Sequence, residues 1–101
     1  MPFYRLARFA VRDDARAEAE RLMRELADRI RKELPKFSCT TYRDPNAPSH
    51  YVAMTRADDR PAETEGTSAM VAALEPVVVG TVELIDCELV TSSDLQRRHR
   101  R

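Results

Sequence analysis

The sequence predicts an α+β fold with the element order strand, helix, strand, strand, helix, strand. Three observations predict it: segments with apolar residues at every second position, segments with apolar residues at three- and four-residue intervals, and prolines or acidic pairs between them. This order is that of the ferredoxin-like βαββαβ motif, an antiparallel four-stranded sheet with two helices on one face. The length of 101 residues suits one domain, residues 1–91, followed by a basic C-terminal tail, residues 92–101.

The first strand is predicted from Phe3 to Val11. Both of its sides carry apolar residues: Phe3, Ala7, Phe9 and Val11 on one, and Tyr4, Leu6 and Ala10 on the other. The helix that follows is predicted to start at a cap formed by Asp13 or Asp14. It is predicted to end before Pro35, because the residue that precedes a proline is driven out of the helical region.

Phe37 to Arg43 is predicted to be the second strand, because it is rich in threonine and aromatic residues. Asp44 to Pro48 has the composition of a tight connection, which predicts a hairpin. The third strand is predicted from His50 to Ala57 and alternates two sets: Tyr51, Ala53 and Thr55, and His50, Val52, Met54 and Arg56. The pattern leaves open which set faces the helices.

The second helix is predicted to start at Asp58 and Asp59, since acidic residues favour the positive end of a helix and Pro61 is tolerated in its first turn. Pro76 is predicted to end it. Gly66 weakens a helix by about 1 kcal/mol relative to alanine, so the first half is expected to be irregular.

The last strand is predicted within Val77 to Val90, where Gly80 marks either a bulge or a start near Thr81. Its two sides are Ile85, Cys87 and Leu89 on one, and Val82, Leu84 and Val90 on the other.

The predicted sheet is apolar on the side that the helices leave open. That side is predicted to carry Leu6, Val82, Leu84, Val90 and either Val52 with Met54 or Tyr51 with Ala53. A lone sheet with one solvated side is normally polar there. The sequence therefore predicts a homodimer in which two sheets pack face to face about a two-fold axis.

Charge and composition exclude several classes of function. Seventeen basic and seventeen acidic residues cancel, so no overall field attracts nucleic acid. No apolar run is long enough for a membrane helix and no secretion signal precedes the first strand, so we expect a cytoplasmic protein. Cys39 and Cys87 are predicted to be buried free thiols. With two histidines away from metal-ligand spacing and only two glycines, we expect neither a metal site nor a nucleotide loop.

Over residues 3–90 the chain resembles the antibiotic-biosynthesis-monooxygenase-like dimeric α+β barrel proteins. The resemblance rests on the opening strand and helix, the hairpin from Asp44-Pro45 to Tyr51, and the closing pattern Leu74-x-Pro76-x-x-x-Gly80-x-x-x-Leu84. It implies oxidation of an electron-rich aromatic substrate by O₂ without metal or flavin. Such a reaction needs an apolar pocket, a base or hydrogen-bond donor for the phenolate, and exclusion of water.

Three residues are the candidate catalytic groups. Arg5 is the single charge on the strand side that carries Phe9, where a guanidinium could stabilise a phenolate; the alternative is that it reaches solvent at the sheet edge. His50 is a candidate base and Tyr51 a candidate hydrogen-bond donor, against the alternatives of an exposed histidine and a packed tyrosine. Phe9 and Met70 are predicted to contact the substrate.

The chain also departs from that family. Many members carry a tryptophan near the end of the third strand and a histidine on the second helix, where this chain has Arg56 and Glu65. Haem degradation is disfavoured, since that helix offers no axial histidine. The sequence thus predicts a cofactor-independent monooxygenase, or binder, of an aromatic or polyketide-like molecule. The alternative is a non-catalytic dimeric ligand-binding or interaction module.

Overall fold

A computed structural model describes residues 1–93, and the predicted basic tail lies outside these residues apart from Ser92 and Ser93. The described elements are β1 (Phe3–Val11), a 3-10 turn (Asp13–Ala15), α1 (Arg16–Glu33), β2 (Phe37–Arg43), β3 (His50–Ala57), α2 (Arg60–Leu74) and β4 (Val78–Cys87). The strands form one antiparallel sheet in the order β2-β3-β1-β4. The predicted ferredoxin-like fold is confirmed.

The hydrophobic core lies between the two helices and one side of the sheet. Strand residues of this side alternate with exposed ones because successive strand side chains point to opposite faces. The register places Phe9 beside Tyr51 and Ala7 beside Ala53. From the helices, the buried residues Ala19, Leu26, Ile30, Met70 and Leu74 complete the core.

This register decides which set of β3 residues faces the helices. Tyr51, Ala53 and Thr55 are buried, so Val52 and Met54 lie on the open face. The prediction that Val82 and Leu84 lie there was wrong. Leu84 is paired with Ala7 on the helix side, and Val82 packs against the core.

The open face of the sheet is apolar, as predicted, but several of its residues differ from the predicted ones. Tyr42, Val79 and Ile85 are exposed there together with Met54, and Leu6 and Val52 are half-buried. An ion pair between Arg8 and Glu83, 3.7 Å apart, crosses β1 and β4 on the same face.

The helix ends follow local chemistry, with one correction. Asp59 caps α2, since its side chain accepts a hydrogen bond of 2.9 Å from the amide of Ala62. The predicted cap of α1 was wrong: Asp13 and Asp14 lie inside the 3-10 turn, and their side chains accept no capping hydrogen bond. The turn itself leads the chain from β1 into the helix and leaves the acidic residues beside its positive end.

Gly66 sits in a regular α2, contrary to the irregular first half that was predicted. A Cβ at this position would lie 2.3 Å from ring atoms of Phe37, the buried first residue of β2. The glycine therefore lets the helix approach the sheet, and this close packing offsets its low helix propensity.

Strand β4 is shorter than predicted and is irregular near its start. It ends at Cys87, and the register against β1 shifts between Arg8 and Ala10. Gly80 has a φ of 74°, a left-handed conformation that glycine adopts without steric cost. Of the two predicted alternatives, the register shift confirms the bulge, and the strand start at Val78 excludes a start near Thr81. Within residues 1–93 no helix is both long and apolar enough to cross a membrane.

Candidate functional site

A cleft of about 320 Å³ opens between α1 and the edge strand β2. Apolar residues of α1, Met23, Leu26 and Ala27, form one wall. Cys39 and Thr41 of β2 and Tyr51 of β3 form the floor, and the charged residues Glu20, Arg24 and Arg43 complete the lining. The cleft therefore combines an apolar wall with a charged rim.

The strand register explains why these groups meet. In the antiparallel pair β2-β3, Arg43 lies opposite Tyr51 and Cys39 opposite Thr55, so all four side chains point towards the helices. Tyr51 lies next to edge strand β2, and this places its hydroxyl near the surface of α1. The local alternation of two strands thus builds the floor of the cleft.

Glu20 is the centre of the polar cluster at one end of the cleft. Its carboxylate accepts two hydrogen bonds of 2.7 Å from the Arg43 guanidinium and one of 2.7 Å from the Tyr51 hydroxyl. The hydrogen bonds from Arg43 first, and from Tyr51 second, lower the pKa of Glu20 to about 2 against the opposing effect of burial. The carboxylate stays ionised at neutral pH.

Tyr51 is held rigidly. Only 2% of its surface is exposed, and its ring stacks on Phe9 with centroids 5.7 Å apart. Burial first, and the hydrogen bond to the Glu20 carboxylate second, raise the pKa of Tyr51. Its hydroxyl is therefore neutral at physiological pH.

Cys39 adds a neutral thiol to the floor. Burial raises the pKa of Cys39, and its Sγ lies 3.8 Å from the Thr41 hydroxyl and 3.9 Å from the Met70 sulfur. Cys39 and Cys87 are both free, as predicted, although both are half-buried rather than fully buried. None of Glu20, Cys39 and Tyr51 changes its charge between pH 5 and 8.

Arg5 lies elsewhere on the helix side of the sheet. It is paired with Thr55, four residues along β3 from Tyr51, which is a separation of about 13 Å along the strand. Its guanidinium donates to Asp86 at 2.8 Å and to the buried Glu63 at 3.0 Å. These ion pairs occupy Arg5, and it does not line the cleft.

His50 and Tyr51 are adjacent in sequence but point to opposite faces. His50 is exposed and lies beside Ala10 on the open face. Phe9 and Met70 are buried behind the cleft, where Phe9 supports the Tyr51 ring and Met70 contacts Cys39. Of the predicted site residues, the structure thus brings Tyr51, Phe9 and Met70 together and leaves Arg5 and His50 apart.

Glu20, Cys39 and Arg43 line the cleft but were not predicted as site residues. Arg43 shares a strand side with Cys39 and precedes a turn, which is a weak signal. Glu20 is one of several acidic residues on an amphipathic helix, and no local feature distinguishes it.

Solved structures place this fold among known proteins. A protein of Bacteroides thetaiotaomicron provisionally named an antibiotic biosynthesis monooxygenase matches 91% of this chain and 92% of its own, with a TM-score of 0.77 and 15% identity. A protein of Caulobacter crescentus with the same provisional name matches 89% of this chain and 91% of its own, with a TM-score of 0.76 and 18% identity. A cofactor-independent oxygenase from Streptomyces nogalater matches 91% of this chain and 96% of its own, with a TM-score of 0.72 and 21% identity.

These likenesses confirm, at the level of the fold, the resemblance to antibiotic-biosynthesis-monooxygenase-like proteins. No family model matches the sequence, and no curated protein matches it. At such identities the shared feature is the fold, and the role of the cleft must be argued from its own residues.

We expect Glu20→Gln to destabilise the fold in a pH-dependent way. The folded-state pKa of Glu20, about 2, lies below its ordinary value of 4.5, so its stabilisation is complete above that value and is lost as the pH falls towards 2. At pH 7 the substitution should lower the free energy of unfolding by about 1–3 kcal/mol. Urea denaturation between pH 7 and 3 should show this difference shrinking.

Glu18→Gln is the matched control. Glu18 lies on the same helix in an exposed ion pair with Arg21, and its loss should cost less than about 0.5 kcal/mol at any pH. A constant difference between Glu20→Gln and the unsubstituted protein over the whole pH range would contradict the assignment of Glu20 as a half-buried, hydrogen-bonded carboxylate.

Proposed function

We propose that the protein binds an aromatic, polyketide-like small molecule in the α1-β2 cleft and oxidises it with O₂ without a metal or organic cofactor. The observation that carries the proposal is the Tyr51 hydroxyl at the floor of an open cleft whose wall is apolar and whose rim carries two arginines. The cofactor-independent oxygenase of the same fold supports it as an analogy.

The dimensions and walls of the cleft suit a small planar ligand. Its volume of about 320 Å³ lies at the lower end of the range of small-molecule pockets. An aromatic ring between Met23, Leu26 and Cys39 would be removed from water on both faces, and sulfur atoms contact aromatic rings favourably. Hydrophobic burial would supply most of the affinity.

The proposed chemistry draws its electrons from the substrate. Oxidation of a methylene group beside a phenol to a carbonyl consumes one O₂ and releases one water, so no external reductant is required. Negative charge that develops on the phenolate would be stabilised by Arg24, whose ion pair with Glu20 is a loose 3.6 Å, and by the Arg43 nitrogen that does not donate to Glu20. Glu20, with its pKa of about 2, does not take up the substrate proton at neutral pH, so that proton passes to solvent.

A second candidate function is a non-catalytic ligand-binding module of the same fold. Two observations favour it. The Arg5 guanidinium is occupied by Glu63 and Asp86, and none of Glu20, Cys39 and Tyr51 titrates near neutral pH as a general base would.

Oxygen consumption with anthrone-type phenols separates the two candidates. We expect turnover that falls at least about tenfold in Tyr51→Phe, because the hydrogen bond between the Tyr51 oxygen and the substrate, about 1.4 kcal/mol, is lost. Tyr42→Phe is the matched control, because Tyr42 is exposed on the open face, and it should leave turnover unchanged. Ligand binding without O₂ consumption across a panel of phenols would refute the oxygenase and leave the binding module.

We also propose that the open face of the sheet packs against a second copy of the chain. Met54, Val79 and Ile85 are large apolar residues that are each at least 37% exposed there. A symmetric contact over this face would bury on the order of 800 Å² per subunit, the size of a stable interface. The ion pair between Arg8 and Glu83 supplies polar groups on the same face.

Sedimentation at micromolar concentration tests the dimer. The unsubstituted protein should sediment as a dimer, and Met54→Lys should shift it to a single subunit, because a charge would be buried without a partner. Val71→Lys is the matched control: Val71 lies on α2 and is 40% exposed, as Met54 is. A stable single subunit before any substitution would refute the proposed pairing.

A further inference from the structure

We infer that Glu20 is a positioning residue that fixes Tyr51 as a hydrogen-bond acceptor towards the cleft, so that the site selects ligands with a free hydroxyl group. The inference rests on the proposed ligand site in the α1-β2 cleft, and it names the class of ligand: phenols, in preference to their methyl ethers. Glu20 itself acts through Tyr51.

The direction of one hydrogen bond carries the argument. A tyrosine hydroxyl has one hydrogen to donate and can also accept. An ionised carboxylate only accepts, so the 2.7 Å contact between Tyr51 and Glu20 must use the tyrosine hydrogen. The lone pairs of the Tyr51 oxygen are then all that this residue offers to a ligand, and the Arg43 guanidinium lies close enough to use one of them.

Glu20 and Tyr51 are both held in place, so the hydrogen bond keeps its direction from the tyrosine to the carboxylate. Two hydrogen bonds of 2.7 Å from Arg43 fix the carboxylate of Glu20. Stacking on Phe9 fixes the ring of Tyr51 from the opposite side. If a ligand carbonyl accepted the Tyr51 hydrogen, the charge-assisted hydrogen bond to Glu20 would be replaced by a weaker neutral one.

A ligand hydroxyl does not compete with Glu20 for the Tyr51 hydrogen. It would donate to the Tyr51 oxygen and leave the bond to Glu20 in place. The same hydrogen bond would strengthen the donor character of Tyr51 towards Glu20, because hydrogen bonds in a chain polarise one another. A methyl ether of the same ring has no hydrogen to donate and would place an acceptor against an acceptor. Such a mismatch leaves the Tyr51 oxygen without a donor from the ligand and weakens binding.

A pair of probes that differ in this one group tests the inference: 1-naphthol and 1-methoxynaphthalene, with dissociation constants measured by calorimetry at pH 7. We expect 1-naphthol to bind at least about tenfold more tightly, which corresponds to 1.4 kcal/mol. In Tyr51→Phe the preference should fall below about threefold, mainly through weaker binding of 1-naphthol.

Glu20→Gln separates positioning from a structural effect. Its amide can donate to the Tyr51 oxygen, which frees the tyrosine hydrogen for the ligand. The preference for 1-naphthol should then fall below about threefold, while the methyl ether binds as well as before or better. Equal weakening of both probes would overturn the positioning role, because loss of structure alone would affect both.

Glu18→Gln is the control for the substitution of Glu20. Glu18 lies on the same helix, outside the cleft lining and in an exposed ion pair with Arg21, so the preference for 1-naphthol should remain. Equal binding of the two probes to the unsubstituted protein would refute this inference alone. If neither probe bound, the ligand site in the cleft would be refuted, and the inference with it.

Discussion

The three short hydrogen bonds accepted by Glu20 are the interaction on which the site depends. They join α1 to β2 through Arg43 and to β3 through Tyr51, at one end of the cleft. Beyond this junction the apolar residues Met23 and Leu26 face the edge strand and leave a space between helix and sheet. A single ionised carboxylate thus anchors the helix, orients the tyrosine and sets the polarity of the cleft floor.

The two faces of the sheet differ in how their side chains pack. On the helix side, small residues such as Ala7 and Ala53 let the helices pack closely over the sheet centre, and Gly66 lets α2 approach Phe37. On the open side, Leu6, Val52 and Met54 remain beside polar neighbours in a surface that suits a second copy of the chain. The candidate ligand site and the proposed interface therefore lie on opposite faces, so the proposed pairing would leave the cleft accessible.

Much of this architecture follows from local patterns. Alternating apolar residues and the prolines at 35, 61 and 76 were sufficient for the elements and for their order. These patterns did not show which side of β3 faces the helices, because both sides of that strand carry apolar residues. The pairing with β1 decides which side it is. Glu20 was missed for a similar reason: on α1 it resembles Glu18 and Glu25, and only the distant strand residues Arg43 and Tyr51 distinguish it.

Amide chemical-shift mapping tests most directly whether the cleft between α1 and β2 is the ligand site. During a titration with 1-naphthol, we expect the largest saturable shifts on Ala27, Cys39, Thr41 and Tyr51, with small shifts at Leu6 and Met54. The largest shifts on the open face, or no saturable shift in the cleft, would contradict this site assignment.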